Sequence, residues 1–228
     1  MEKTIYNKFD KSEIAQLPVV SFPGRIIVVL SEAEADKAVD YLLSRPLLGL
    51  DTETRPAFRK GQNYKVSLLQ VSTEDTCFLF RLNHIGLPDS VLRLLTDTKV
   101  TKVGLSWHDD LCMLRRRREF TPGQFVDIQN LTGQLGIEDQ SLQKLYANLF
   151  GQKISKRQRL TNWDADVLTD RQKLYAATDA WACVNLYKEI QRLIQTDNYR
   201  LKIRQPQPTE TQQKEETSHV QDTISQTR

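Results

Sequence analysis

Short, mostly apolar runs of strand length recur through the first half of the chain and limit what it can fold into. They occupy residues 26–30, 47–51, 66–71, 77–80 and 100–103. Such runs between polar turn signals are typical of β-strands. The second half of the chain has more helical patterns, so the sequence predicts an α/β domain with a mixed sheet.

The first of these strands is followed by a helix start signal. Ser31 and Glu34 form a capping box, in which the Ser31 hydroxyl accepts from the third amide of the helix while Glu34 reaches back. This predicts a helix to about Ser44, ending before the next proline, because the residue that precedes a proline avoids helical geometry. Further helices are predicted over residues 90–95 and 109–118.

Composition divides the chain into three parts. Residues 1–24 have scattered apolar positions and two prolines, which predicts a loosely attached leader, and a single domain is expected over residues 25–200. Residues 205–228 contain only two aliphatic side chains and are predicted to form a disordered tail, because they cannot bury enough apolar surface to offset the entropy of ordering. The tail holds four acids and two bases, so the rest of the chain carries +5 against +3 for the whole, which permits an anionic partner.

The sequence also bears on location. No apolar run approaches the roughly 20 residues that a membrane-spanning helix needs, and the N-terminus lacks the apolar core of a secretory signal. The three cysteines are widely spaced and form no CxxC pair, which indicates neither a disulfide framework nor a structural zinc site. We therefore expect a reduced, cytoplasmic protein with no membrane partner.

Two carboxylates lie where one apolar strand ends. Asp51 and Glu53 follow the apolar residues 47–50, and residues two apart on a strand project from the same face. Neighbouring carboxylates repel and raise each other's pKa unless a cation lies between them, and Mg²⁺ prefers such oxygen ligands. The pair therefore indicates either a metal site or a solvated strand end.

A second candidate group lies in a helix rich in small apolar residues. Tyr175 and Asp179 are four residues apart and share one helix face. Ala176, Ala177 and Ala180 would let this helix pack closely on a sheet. A carboxylate in such surroundings is costly to bury unless it is paired or binds a metal. The spacing indicates a metal-linked pair or a tyrosine hydrogen-bonded within its own helix.

A third group lies where a strand over residues 100–103 gives way to a helix. Asp109 and Asp110 fall at the predicted helix start. Acidic residues in the first turn are favoured by the helix dipole. One acid is enough for that purpose, so the second is a candidate for chemistry.

The order of the three groups along the chain resembles the DEDD superfamily of 3′–5′ exonucleases, in the branch whose last motif is Tyr-x-x-x-Asp. The sister branch has His five residues before the last aspartate, where this chain has Leu174. The chain also resembles ribonuclease D, though more distantly. The resemblance to the superfamily covers about residues 25–195. The matching stretches are residues 50–53, 65–70, 102–111, 155–163 and 172–180.

The resemblance implies a ribonuclease H-like fold, with a mixed sheet flanked by helices, and hydrolysis of terminal phosphodiester bonds that releases nucleoside monophosphates. It assigns Asp51, Glu53 and Asp179 to one divalent cation, and Asp51 with Asp110 to a second, the cations being Mg²⁺ or Mn²⁺. Two such ions can stabilise both the attacking and the leaving oxygen. Tyr175 would orient the attacking water, because a phenol with an ordinary pKa of about 10 is a poor base at neutral pH.

Two further details follow from the family's motifs. The first concerns the motif over residues 102–111. Its acid stands immediately before Leu111, which favours Asp110 as the metal ligand and leaves Asp109 as a first-turn stabiliser. His108 is expected to be exposed or close to the substrate. Relatives often carry an aromatic residue where this chain has Thr54, so no stacking is expected at that position.

Nucleic-acid contacts are expected from one aromatic residue and one basic cluster. Phe58 follows the first motif on a loop and is expected either to stack on the terminal base or to pack on its own strand. Lys156, Arg157 and Arg159 are favoured for phosphate contact, which would make binding dependent on salt. Four consecutive arginines at residues 115–118 indicate a solvated helix end or a phosphate-binding edge.

We therefore expect a 3′–5′ exonuclease that acts on single-stranded or recessed 3′ ends, with DNA favoured over RNA. An RNA-trimming enzyme similar to ribonuclease D and a catalytically weak nucleic-acid-binding module are the alternatives. The intact set of four acids and Tyr175 argues against the weak module. The chain after about residue 195 lacks the length of a helicase, so any unwinding partner is expected to be a separate helicase.

Overall fold

The computed structural model describes residues 2–59 and 61–205 of the chain. Apart from Gln205, the predicted disordered tail lies outside the described residues, as does Lys60. The predicted division into leader, domain and tail stays a prediction, although the packing of the leader is described below. None of the helices in the described ranges is long and apolar enough to cross a bilayer.

A six-stranded mixed sheet forms the centre of the molecule, and its strands lie in the order β3 (Arg25–Val29), β6 (Thr76–Arg81), β5 (Leu68–Ser72), β4 (Leu47–Glu53), β7 (Thr101–Gly104) and β8 (Phe125–Asp127). The strand β5 is antiparallel to β4 and β6, and the other neighbouring pairs are parallel. The α/β domain with a mixed sheet predicted from the sequence is thus confirmed. Two further two-stranded sheets pair β1 (Lys3–Tyr6) with β10 (Tyr199–Lys202) and β2 (Val19–Val20) with β9 (Lys153–Ile154).

Helices cover both faces of this sheet. The helices are α1 (Lys11–Ile14), α2 (Glu32–Leu43), α3 (Leu82–Ile85), α4 (Asp89–Thr96), α5 (Trp107–Arg115), α6 (Ile128–Thr132), α7 (Leu142–Phe150) and α8 (Asp170–Thr196), with a short 3₁₀ helix at Gly133–Leu135. One apolar core joins the sheet to α2 and α4, and two others join it to α7 and α8. The predicted capping box of Ser31 and Glu34 begins α2.

At Gly49 of β4 the sheet backbone comes very close to α8. A Cβ atom at this position would lie 2.0 Å from the carbonyl oxygen of Ala180 in α8, so only glycine permits the contact. Ala176, Ala177 and Ala180 are fully buried and give α8 its flat inner face. Asp51 is two residues beyond Gly49 on the same face of β4, so this contact sets the distance between Asp51 and α8.

The first 24 residues are packed onto the domain, and their expected loose attachment is wrong. The strand β1 pairs in parallel with β10, and Ile5 is fully buried. The side chain of Asn7 accepts from the backbone amide of Arg204 at 2.7 Å, and Phe22 is buried against α8. The apolar residues that anchor residues 1–24 pack against different parts of the domain. They therefore do not form a periodic pattern in the sequence.

The run of four arginines does not continue the helix, contrary to the expectation for it. The helix α5 ends at Arg115. The Arg117 Nε atom donates to the carbonyl oxygen of Val66 at 2.6 Å, and Arg118 forms an ion pair with Asp89 at 2.6 Å. The helix predicted over residues 109–118 is therefore three residues too long at its end, and the choice between a solvated helix end and a phosphate-binding edge stays a prediction.

Lys102, in the third motif, has a structural role. Its side chain is fully buried, and its ammonium donates to the carbonyl oxygens of Asp97 at 2.8 Å and Val100 at 2.9 Å. Burial lowers the pKa of Lys102 to about 8. The lysine therefore ties β7 to the loop before it.

Substitution of Gly49 by alanine tests the contact between β4 and α8. We expect Gly49→Ala to lower the free energy of unfolding by about 1–3 kcal/mol, because the added methyl group overpacks the interface. Urea denaturation would measure the change. Gly133→Ala is the matched control, since a Cβ there meets nothing within 4 Å; equal stability of the two variants would contradict the prediction.

Candidate active site

Three carboxylates from distant parts of the sequence meet at the end of β4. Asp51 and Glu53 project from one face of β4, and Asp179 projects towards them from α8. One oxygen atom of each residue lies within 4.8 Å of one oxygen of each of the others. Glu53 is only 9% exposed and Asp179 only 5% exposed, so the group is largely shielded from bulk water.

The electrostatics of this group favour a cation. Burial and, after it, the charges of Asp51 and Asp179 raise the pKa of Glu53 to about 10. Burial also raises the pKa of Asp179 to about 7 and that of Asp51 well above its usual range. Ionised carboxylates in such surroundings are stabilised by a bound cation, which would return their pKa values towards the ordinary range.

The oxygen atoms are arranged to bind a hard divalent cation. The Oδ1 atom of Asp179 is buried and has no hydrogen-bond partner among the described residues. The Oδ1 atom of Asp51 accepts from the Thr52 amide at 2.9 Å. Hard cations such as Mg²⁺ and Mn²⁺ take carboxylate oxygens of this kind as ligands. The donor set therefore fits a divalent cation held by Asp51, Glu53 and Asp179.

The fourth predicted ligand, Asp110, lies beside this group and is not one of its three members. It is half-buried in the first turn of α5 and accepts a hydrogen bond from the Thr52 hydroxyl. Burial raises the pKa of Asp110 to about 6, and its charge contributes to the raised pKa of Asp51. Asp109 is exposed, and so is His108.

The position of α5 depends on Asp127, which the sequence reasoning missed. The carboxylate of Asp127 accepts from the backbone amides of Ser106 at 3.2 Å and Trp107 at 3.1 Å, which open α5. It also caps α6 by accepting from the amide of Gln129 at 2.9 Å. An aspartate just before a helix is a sequence signal for the α6 cap, but its second contact is long-range and leaves no local signal.

Tyr175 lies one helical turn before Asp179, and its ring packs against a tryptophan. The fully buried indole of Trp163 lies against the Tyr175 ring, with the ring centres 6.0 Å apart. Burial, followed by the charge of Asp179, raises the pKa of the Tyr175 hydroxyl well above its usual range. The phenol therefore stays protonated at neutral pH and can donate a hydrogen bond.

The predicted nucleic-acid contacts lie around this centre on exposed surfaces. Phe58 is 78% exposed and does not pack on its own strand. With Leu160 and Asn162 it lines a groove of about 340 Å³, which we call the first groove.

The basic residues lie on residues 155–162, which we call the basic loop. Lys156, Arg157 and Arg159 are exposed on it. The positive charges of two of them favour the ionised form of the nearby carboxylates. Arg159 partly offsets the rise in the pKa of Glu53, and Lys156 partly offsets the rise in the pKa of Asp179.

Comparison with known proteins places most of the chain in one family of sequences. A family model described as 3′–5′ exonuclease matches residues 26–195. A 3′–5′ exonuclease of Arabidopsis thaliana is 31% identical over 208 residues, which cover 83% of this chain and 72% of that protein. The bifunctional 3′–5′ exonuclease/ATP-dependent helicase WRN of Mus musculus is 27% identical over 78% of this chain, but the match spans only 13% of the mouse protein.

Solved structures show the same fold at low sequence identity. The EXO domain of Nibbler from Aedes aegypti superposes with a TM-score of 0.72 at 19% identity, covering 79% of this chain and 95% of that domain. RNase D of Escherichia coli superposes with a TM-score of 0.65 at 21% identity, covering 76% of this chain and 46% of that protein. These likenesses confirm the predicted ribonuclease H-like fold.

Removal of one carboxylate should change how the protein responds to metal. In EDTA, we expect Asp51→Asn to be more stable than the wild type, because it removes one of three mutually repelling buried groups. Mn²⁺ at 100 times its Kd should stabilise the wild type by about 2.7 kcal/mol, which raises Tm by on the order of 5–10 °C for a chain of this size. Differential scanning calorimetry would measure both effects.

The control for this measurement is Asp109→Asn, which changes an exposed acid outside the group of three carboxylates and should keep the full response to metal. An equal rise of Tm with Mn²⁺ in Asp51→Asn and the wild type would contradict the assignment of Asp51 as a ligand.

Proposed function

The chain belongs to the 3′–5′ exonuclease family, and we propose that it removes nucleoside monophosphates one at a time from the 3′ end of a nucleic-acid strand by metal-dependent hydrolysis. The convergence of Asp51, Glu53 and Asp179 within 4.8 Å, inside the region that matches the family, is the observation that carries this proposal. A catalytically weak binding module would have no need of such a buried acidic group.

The proposal includes two divalent cations, Mg²⁺ or Mn²⁺. Asp51, Glu53 and Asp179 would hold one, and Asp51 with Asp110 would hold the other. When bound, such ions lower the pKa of a water molecule and stabilise the attacking and leaving oxygens of an in-line displacement. Thr52 supports this arrangement by donating to Asp110 and so linking α5 to β4.

Tyr175 would position the attacking water. Its hydroxyl stays protonated because burial raises its pKa, so it acts as a hydrogen-bond donor rather than as a base. Trp163 keeps the ring from rotating away, which limits the loss of orientation that a misplaced group would bring.

The substrate strand would lie over the first groove and the basic loop. Phe58 is exposed there and can stack on the terminal base, a contact typically worth about 1–3 kcal/mol. Lys156 and Arg159 would meet phosphate oxygens next to the acidic group, with Arg157 further along the same loop. These contacts would weaken as salt rises.

We favour DNA as the substrate, presented as single-stranded or recessed 3′ ends, and DNA polymerase I of Aquifex aeolicus is among the relatives, at 28% identity. RNA is the second candidate, since RNase D of Trypanosoma brucei, solved in complex with the RNA U12, shares the fold. A separate helicase partner and a cytoplasmic location stay predictions.

The test of this function uses end-labelled DNA and RNA oligonucleotides of one sequence, with Mg²⁺, with Mn²⁺ and with EDTA. We expect cleavage from the 3′ end that EDTA abolishes. Asp179→Asn should reduce the rate by on the order of 1000-fold or more, because removing one member of a set of catalytic groups that act as a unit removes most of the rate enhancement of the whole set. Asp109→Asn is the matched control and should cleave like the wild type; metal-independent cleavage would refute the proposal.

The role of Tyr175 has its own test. We expect Tyr175→Phe to lower kcat by up to about 100-fold through loss of water orientation, with KM and the metal-induced rise of Tm unchanged. Single-turnover kinetics alongside calorimetry would separate the two effects. An unchanged kcat would remove the water-positioning role.

A further inference from the structure

A second groove lies across the basic loop from the first one. Its volume is about 250 Å³, and Tyr175 forms part of its wall, so it is continuous with the candidate active site. We call it the second groove. Its lining residues come from β2, β9, the basic loop and the first turns of α8, and they are mostly apolar at the base and basic at the rim.

The base of the second groove is apolar surface that the core leaves uncovered. Val19 is 64% exposed and Leu174 is 39% exposed, and both line the groove together with Val20 and Ile154. Exposed aliphatic side chains beside a catalytic centre indicate contact with an apolar part of a ligand. The sugar ring and the base of a nucleotide offer such surfaces.

The rim of the second groove carries two arginines. Arg157 comes from the basic loop and Arg171 from the first turn of α8. Within the described part of the chain, neither guanidinium takes part in an ion pair. Arginine recognises phosphate through its planar, bidentate donors, so the rim is complementary in charge to a nucleic-acid backbone.

The spacing along α8 relates the second groove to the acidic group. Arg171, Tyr175 and Asp179 are four residues apart in turn and lie along one side of the helix. At 1.5 Å per residue, Arg171 stands about 12 Å from Asp179 along the helix axis. The proposed function places the terminal base in the first groove, on the other side of the basic loop, so the second groove is left for the strand upstream of that base, with Arg171 within reach of a phosphate further towards the 5′ end.

We propose that the second groove binds the part of the substrate strand immediately upstream of the 3′-terminal nucleotide. The penultimate sugar and base lie on Val19 and Leu174, and the next phosphate upstream lies between Arg157 and Arg171. This inference rests on the proposed function and adds a length requirement to it. A dinucleotide without a 5′ phosphate has only the scissile phosphate and cannot use Arg171, whereas a pentanucleotide can.

Cleavage of the two lengths by Arg171→Gln tests the second groove. We expect kcat/KM for a pentanucleotide to fall roughly 10-fold, as for loss of a hydrogen bond to a charged group, with no change for the dinucleotide. Val19→Ser should lower kcat/KM for both lengths, because the dinucleotide also has the penultimate sugar and base. Arg25→Gln is the matched control, because Arg25 is an exposed arginine at the start of β3. A loss in Arg171→Gln that is equal on both lengths, or absent from both, would overturn the proposal.

Binding gives a measurement that does not depend on turnover. Fluorescence anisotropy with a labelled pentanucleotide should show weaker binding by Arg171→Gln, and the slope of log K against log salt should become shallower by about 0.7. If the wild type cleaves neither length, the proposed function fails, and the anisotropy still decides the second groove: unchanged affinity and slope in Arg171→Gln overturn it.

A free nucleotide is the competing occupant, and adenosine monophosphate serves as its probe. If Arg171→Gln abolishes inhibition by adenosine monophosphate but leaves the pentanucleotide kinetics unchanged, the groove holds released product, which overturns the proposal. Inhibition that is equal in the two proteins, together with the loss specific to the pentanucleotide, supports the strand assignment.

Discussion

The contact between Gly49 and the Ala180 carbonyl fixes the geometry of the candidate active site. It brings the backbone of α8 against β4, which no side chain larger than hydrogen at position 49 would permit. Asp51 and Asp179 lie next to this contact on the strand and on the helix. Their separation is therefore fixed by the packing of backbone on backbone and does not depend on flexible side chains.

This packing also brings like charges together, which destabilises the fold but prepares the site for a cation. Three carboxylates lie close together in a largely buried site, and burial raises the pKa of each. The fold tolerates the repulsion because the cores on both faces of the sheet supply the stability. A divalent cation held between these carboxylates would relieve their repulsion as well as form ligand bonds.

Local patterns in the sequence predict the centre of the fold and the members of the acidic group. Asp51 and Glu53 could be found because a strand presents alternate residues on one face, and Tyr175 with Asp179 because a helix aligns residues four apart. The packing of residues 1–24, the second contact of Asp127 and the partners of Arg117 could not, because each depends on residues far away in the chain. The second groove could not be predicted either, since it is assembled from three separate segments of the chain.

The ribbon formed by β1 and β10 has a consequence for how the protein is made. It places Lys3 opposite Tyr199, so β1 cannot pair until β10, which comes much later in the sequence, has been synthesised. Closing so long a loop is entropically costly and follows once nearer partners are already in place. During translation the first strand therefore remains without its hydrogen-bonding partner until the ribosome has released almost the whole domain.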